Sequence, residues 1–257
     1  MGDADNADYK ESNIEIIDTE DEVKVTAIVL AAGKGSRMHS DIPKQFMMLG
    51  DYPVLYYSLK AFQDSLVDDI ILVTGEDYVE YCRNDIVGRY NITKVRKIVT
   101  GGAERYDSVH NGLIAAEGAK YVLIHDGARP CINQKIITDS IDAVKIYSAC
   151  TVGVPVKDTI KIVDEDQMGV DTPDRSRLWQ VQTPQSFNRG LLLTCYDRLA
   201  YDKCQVITDD TMIVERYSSV RTKVIMGAYE NLKITTPEDL KIAPNFLKKD
   251  VDTKMVK

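Results

Sequence analysis

Ala31-Ala32-Gly33-Lys34-Gly35-Ser36-Arg37 carries two glycines and two cations, and Pro43-Lys44-Gln45 adds a third cation a few residues on. Small residues let a ligand come up to the main chain, glycines permit unusual φ/ψ, and successive N–H groups make a concavity for an anion. Arg37 and Lys44 on either side of such a concavity suit electrostatic stabilisation of a phosphoryl group. The spacing matches neither familiar phosphate loop. G-x-x-x-x-G-K-[ST] is absent, and Met38 stands where G-x-G-x-x-G needs its third glycine. A bare G-x-G fits a plain strand-to-helix turn equally well, and it is Lys44 that favours a loop wrapping nucleotide phosphates.

Two further stretches carry chemistry. In Ile124-His125-Asp126-Gly127-Ala128-Arg129-Pro130 a strand ending in Asp126 brings a carboxylate to the sheet rim beside the glycine loop. That place suits Mg²⁺, which is held by one or two carboxylates plus phosphate oxygens. Arg129 can then meet a second phosphate bidentately. The plainer readings are a turn or cap for Asp126 and a surface ion pair for Arg129. His125 reads as a packed strand residue, because His39 and His110 complete no metal-type spacing with it. Gly101-Gly102-Ala103-Glu104-Arg105-Tyr106-Asp107-Ser108-Val109 is open between two readings. Paired glycines let main-chain groups meet the edge of a flat base, with Ser108 adding one hydrogen bond, or Ser108 simply caps a turn.

The elements that must hold these residues alternate. Strands are predicted over 25–30, 69–74, 94–100, 121–125 and 149–154, with helices over 53–63, 78–90, 105–116 and 133–147. Such alternation implies a parallel sheet with right-handed crossovers and helices on its faces, an α/β fold. The regularity stops at Val156: 157–163 reads as a strand and 164–177 as a charged excursion containing Pro173, either an arm or a functional loop. Beyond it come regular structure over 179–187, helices after Asn188 and Thr208, a strand near 220–226, and regular structure over 231–235. A last helix is capped by Thr236 with Pro237 in its first turn, and Pro244 should kink or end it.

Composition narrows the class. Nine acids and two bases lie in the sequence up to Lys24, so most of the net charge of −8 belongs to that stretch and the remainder is close to neutral. Residues 1–23 read as a disordered acidic tail, without the basic start or apolar core of a signal peptide, and 24–250 as one domain. No basic face argues for nucleic acid, and no apolar run reaches the roughly 20 residues of a membrane span. Five cysteines (Cys82, Cys131, Cys150, Cys195, Cys204) without C-x-x-C spacing read as reduced thiols in packing positions, which points to the cytoplasm.

AAGKGSRM with PKQ, RYDSVHNGL, HDGARP, VPVKDTIK (154–161), WQVQTPQSF (179–187), TDD (208–210) and ENLKITTPEDL (230–240) together resemble the 2-C-methyl-D-erythritol 4-phosphate cytidylyltransferases of the non-mevalonate isoprenoid pathway. The resemblance runs from about Val25 to about Leu247. It implies a Rossmann-like nucleotidyltransferase fold, a mostly parallel twisted sheet flanked by helices, with a protruding dimerisation arm at about 157–178. It implies transfer of CMP from CTP to 2-C-methyl-D-erythritol 4-phosphate, with Mg²⁺ as cofactor. Ala31, Ala32, Gly33, Gly102, Ala103 and Ser108 would contact CTP. Arg37 and Lys44 would stabilise the pentacoordinate phosphorus, and Asp126 would help hold Mg²⁺. Arg175 and Lys233 would position the second substrate, with Arg129, Thr159 and Thr208 nearby. The arm would reach across a homodimer, so that Arg175 serves the partner's site. Two rival readings are a ribitol-5-phosphate cytidylyltransferase and a catalytically silent nucleotide-binding protein. HDGARP and the 157–161 segment speak against the first. Intact Arg37, Lys44, Asp126 and Lys233 speak against the second.

Overall fold

A computed structural model describes residues 23–247 other than 34, 36, 37, 39 and 201–206. The predicted acidic tail, up to residue 22, and Cys204 lie outside the described residues. In chain order the strands are β1 (Val25–Ala31), β2 (Met48–Leu49), β3 (Tyr52–Pro53), β4 (Asp69–Thr74), β5 (Val95–Thr100), β6 (Tyr121–Asp126), β7 (Ala149–Pro155), β8 (Ile162–Val163), β9 (Gly169–Asp171), β10 (Trp179–Asn188) and β11 (Lys223–Met226). The helices are α1 (Val54–Gln63), α2 (Val79–Tyr81), α3 (Arg105–Ala115), α4 (Gln134–Tyr147), α5 (Arg189–Leu199), α6 (Asp210–Tyr217) and α7 (Pro237–Leu247).

Seven strands form one sheet in the order β11-β7-β10-β6-β1-β4-β5. Its pairings are parallel except for β10, which runs antiparallel to both β6 and β7. β1, β4 and β6 are almost unbroken apolar runs because helices cover both faces. Alternation along β1 divides the core. Ala27, Val29 and Ala31 face Leu55, Leu59 and Phe62 of α1 and Ile137 of α4. Ile28 faces Val109 and Leu113 of α3, Leu192 of α5 and Ile213 of α6. Full burial of Leu55, Leu59 and Phe62 contributes about 1.5–3 kcal/mol each. α3 lies so close to the sheet that a Cβ on Gly112 would stand 2.5 Å from Ile28 Cγ2. This close approach brings the first turn of α3, with Arg105 and Ser108, beside the loop that follows β1.

A third cluster of Met38, Leu49, Val54, Cys131, Ile234 and Ala243 ties α7 and the segment before it to the β2–β3 hairpin. The segment 231–235, predicted to be regular, forms neither strand nor helix. It is pinned instead by the Ile234 N–H to the Ala128 carbonyl at 2.8 Å. α7 starts at Pro237 as predicted, but it passes through Pro244 to Leu247 instead of ending. Burial of Ala243 and packing of Phe246 and Leu247 hold that last turn in place. At its other end Asp239 accepts from the Thr235 and Thr236 N–H groups at 2.8 Å each, so the cap works through the aspartate.

Two further predicted elements differ. The helix over 78–90 is α2 continued by a π-helical turn over Cys82–Gly88, in which the Arg89 N–H reaches the Asn84 carbonyl at 3.0 Å. Cys82 and Ile86 are the residues this wider turn buries. The strand over 157–163 shrinks to Ile162–Val163, paired only with β9. Residues 157–172 are all exposed, so no buried face extends the pairing.

Candidate active site

The carboxyl ends of β1, β5 and β6 open onto a cavity of about 430 Å³. Its floor is main chain and small side chains: Ala31, Ala32 and Gly33 after β1, and Gly102 and Ala103 after β5. Two side chains set this rim. Gln45, buried within Lys44–Phe46, donates from Nε2 to the carbonyls of Ala31 at 2.6 Å and Gly33 at 3.1 Å. With Phe46 anchored against Tyr78 and Tyr81, this fixes Lys44 at the cavity wall. Ser108 donates to the Glu104 carbonyl at 3.2 Å and accepts from the Gly102 N–H at 3.0 Å, folding the glycine turn onto the start of α3. A Cβ on Gly102 would stand 2.2 Å from Asp107 Cβ, so the turn closes only with glycine there.

Behind the first cavity lies a second, of about 350 Å³, lined by Arg129, Gln182, Thr183, Gln185, Thr208 and Asp209 among others. Arg105, Asp126 and Lys233 line both and form the wall between them. Asp126 is the centre of that wall. Its Oδ2 lies 2.8 Å from Lys233 Nζ and 3.8 Å from Arg129 Nε, and its Oδ1 lies 3.6 Å from Arg105 Nε. Burial works against the ionised form, yet Lys233, Arg105 and Arg129 hold the Asp126 carboxyl well below the usual carboxylate range. It is an anion at any working pH. Arg105 also donates to Asp210 at 2.9 Å. Although burial opposes its charge, Asp210 and Asp126 raise its pKa above the ordinary guanidinium value.

A buried polar layer supports the second cavity. Arg129 donates to the Asn231 carbonyl at 2.7 Å, while the Asn231 side chain donates to the Thr183 carbonyl at 2.9 Å. Burial pushes the His125 pKa down to about 4, so the ring is neutral. Its Nε2 faces the Arg129 carbonyl at 3.3 Å and its Nδ1 faces the Thr183 hydroxyl at 3.0 Å. The Nε2–H tautomer satisfies both contacts, leaving the Thr183 oxygen to accept from the Asp126 N–H at 3.1 Å. His125 is thus the packed strand residue that its position predicts.

The sequence matches the 2-C-methyl-D-erythritol 4-phosphate cytidylyltransferase (IspD) family over residues 25–249. The chain belongs to that family. A 2-C-methyl-D-erythritol 4-phosphate cytidylyltransferase of Lachnospira eligens is 53% identical over 225 residues, which cover 87% of this chain and 99% of the relative. One from Lachnoclostridium phytofermentans is 50% identical over 229 residues, 89% and 98% of the two chains. The crystal structure of 4-diphosphocytidyl-2C-methyl-D-erythritol synthase from Anaerococcus prevotii superposes with a TM-score of 0.77 at 33% identity, covering 88% of this chain and 96% of that one. Membership makes the chain a cytidylyltransferase of isoprenoid precursor biosynthesis.

Of the residues that the family resemblance singles out, Ala31, Ala32, Gly33, Lys44, Gly102, Ala103 and Ser108 line the first cavity. Arg129 and Thr208 line the second, and Asp126 and Lys233 line both. Arg37 lies outside the described residues. Thr159 and Arg175 line neither cavity. Both are exposed, and Arg175 donates to the Lys157 carbonyl at 2.7 Å. Sequence reasoning missed Gln45, Arg105, Asp210 and Asn231. All four stand inside quoted motifs, and a cation three positions after the glycine pair, at the predicted start of a helix, is the signal that would have found Arg105.

Proposed function

We propose that this cytidylyltransferase binds CTP in the cavity between the loops after β1 and β5, and 2-C-methyl-D-erythritol 4-phosphate in the cavity beyond Asp126. The observation that carries this reading is the shared wall: Arg105, Asp126 and Lys233 belong to both cavities, so two anions lodged on its two sides would meet across it. A phosphate monoester is largely ionised near neutral pH, its second pKa being about 6, and needs no general base. One of its oxygens forms a bond to the α-phosphorus of CTP while the bond from that phosphorus to the bridging oxygen breaks, and pyrophosphate leaves with the electron pair. Repulsion between anions and misalignment make up most of the barrier, and fixed cations lower it. Lys44, with Arg37, would stabilise the transition state, and Lys233 and Arg129 would hold the attacking phosphate.

Among the described residues, Asp126 is the carboxylate that lines both cavities and would hold Mg²⁺. It is ionised, and no cluster of three or more His, Cys, Asp or Glu side chains able to hold a metal stands among the described residues. A single carboxylate fits an ion that keeps most of its waters and takes phosphate oxygens as its remaining ligands. When bound, Mg²⁺ neutralises phosphate charge. The buried thiols of the described residues suit a reducing compartment, in keeping with the cytoplasm.

The arm supports a homodimer. β8 and β9 form an isolated hairpin, which is marginal in water on its own. Ile162, Val163, Met168 and Val170 are exposed along it, as are Trp179 and Val181 on β10 and Val224, Met226 and Tyr229 on and after β11. So much exposed apolar surface marks an interface. A second copy lying against it would bring Arg175 and Thr159 toward the partner's second cavity. The deciding experiment is pyrophosphate release from CTP and Mg²⁺ with 2-C-methyl-D-erythritol 4-phosphate or ribitol 5-phosphate as acceptor. Turnover of the methylerythritol compound is expected. Turnover of ribitol 5-phosphate alone, or of neither, overturns the reading.

A further inference from the structure

We propose that Arg105 is a positioning residue for the transfer, its guanidinium reaching from the buried Asp210 to Asp126 and setting how Asp126 stands between the two cavities. The proposal deepens the function argued above and rests on it.

Arg105 is the first residue of α3, directly after a reciprocal cap formed by Glu104 and Asp107, so its main chain has little freedom. The guanidinium is a rigid planar fork whose N–H groups point in set directions, and fixing one arm fixes the other. One arm reaches Asp210 Oδ2 at 2.9 Å and the other faces Asp126 Oδ1 at 3.6 Å. Asp210, at the start of α6, is fully buried and is itself fixed. Tyr196 of α5 donates its hydroxyl to Oδ1 at 2.9 Å, and the Asp210 N–H donates to Gln185 at 2.9 Å. The Tyr196 ring stacks on His110, back on α3, with centroids 5.5 Å apart and planes 5° from parallel. The chain of contacts thus leaves α3 at Arg105, crosses α6 and α5, and returns to α3. Arg129 is held by the Asn231 carbonyl at 2.7 Å, but among the described ion pairs neither it nor Lys233 meets a second carboxylate, and both face only Oδ2 of Asp126.

A hydrophobic set of similar volume would stabilise the fold as well as this buried ion pair or better. What the pair adds is direction. The side chains lining the two cavities include four cations, Lys44, Arg105, Arg129 and Lys233, against three carboxylates, Glu104, Asp126 and Asp209, and the one positive charge left over favours phosphate.

The test is steady-state kinetics of Arg105→Lys, Asp210→Asn, the double variant and Tyr196→Phe, with folding followed by circular dichroism. Arg105→Lys keeps the charge but not the fork. It should lower kcat by about ten- to a hundredfold, as a misplaced group does, while both KM values stay within about threefold. The double variant should lose little more than the worse single one, because the two residues act as a unit. If either variant fails to fold, Tyr196→Phe decides, with kcat expected to fall severalfold at unchanged KM. A kcat within twofold of wild type for Arg105→Lys, fully multiplicative losses in the double variant, or an unchanged Tyr196→Phe would each overturn the proposal. Absence of turnover by the wild-type protein would overturn the function and this role together, whereas normal wild-type turnover beside a fully active Arg105→Lys would overturn this role alone.

Discussion

The two cavities that meet at Asp126 are made of different materials. The first is mostly main chain, with glycines and alanines contributing by what they lack and Gln45 and Ser108 holding the loops from behind. The second is mostly side chain, with Arg129, Gln182, Thr183, Gln185 and Lys233 brought in from three separate segments. A pocket of amides suits a ligand defined by flat edges and phosphate oxygens, since every peptide offers the same donor. A pocket of long side chains suits a smaller anion whose placement must be exact to within fractions of an ångström, because each side chain carries its own braces.

The partition is best challenged where each material is removed. Lys44 is the one described cation that belongs to the first cavity alone. Lys44→Ala should reduce kcat by two to three orders of magnitude, roughly 2.7–4 kcal/mol, with folding intact by circular dichroism. A loss below tenfold would remove Lys44 from the transition state. Gly102→Ala attacks the main-chain half instead, since the new methyl would overlap Asp107. KM for CTP should rise by about tenfold or more, equivalent to 1.4 kcal/mol, with KM for the second substrate little changed. Equal rises in both constants would dissolve the distinction between the cavities.

That distinction also explains what the sequence disclosed. The sheet, its flanking helices and the glycine rim were legible because they rest on local signals: apolar runs, helical spacing and glycines at strand ends. Lys44, Asp126 and Ser108 were legible because each stands within a few residues of such a signal. Arg105, Asp210 and Asn231 were not, since their meaning lies in partners about a hundred positions away. Arg105 meets Asp210, and Arg129 meets the Asn231 carbonyl, only after the whole sheet has formed. The strand expected over 157–163 failed for a related reason: a β-branched, alternating stretch needs a surface to lie on, and a single chain supplies none there.

The arm gives a smaller effect that sharpens the same contrast, because it would add side chains from a second subunit to the second cavity. Neither Lys44→Ala nor Arg175→Ala subunits should turn over at the wild-type rate alone. Mixed in equal amounts and allowed to exchange, they should regain about a quarter of the wild-type sites, if each two-fold dimer carries Arg175 across to its partner. Mass spectrometry would establish that heterodimers formed. No recovery from such heterodimers would place Arg175 in its own subunit's site.

The smallest effect on activity is expected from a second carboxylate encircled by cations. Asp69 stands at the amino end of β4, away from the cavities, with Lys24 and Arg96 on Oδ2 at 2.8 and 2.5 Å and the Thr26 hydroxyl donating to Oδ1 at 2.6 Å. Burial pushes its carboxyl up, but the Lys24 and Thr26 hydrogen bonds and Arg96 prevail and hold it below the ordinary value. A carboxyl depressed in the folded state adds stability above its unfolded pKa of about 3.9, and that stability disappears as pH falls through the lower folded value. Asp69→Asn should therefore cost about 1.5–3 kcal/mol at pH 7, the usual worth of hydrogen bonds to a charged group, and leave kcat unchanged. The gap in Tm between variant and wild type should close as pH drops below about 4. A gap that held steady in acid would mean that the side chain stabilises by shape and not by charge. Asp69 and Asp126 share one chemistry, a sunken carboxylate ringed by cations, and differ in what lies beyond the ring: packed strand ends for one, two open cavities for the other. The same ionic cluster is thus closed in at one end of the sheet and borders two cavities at the other.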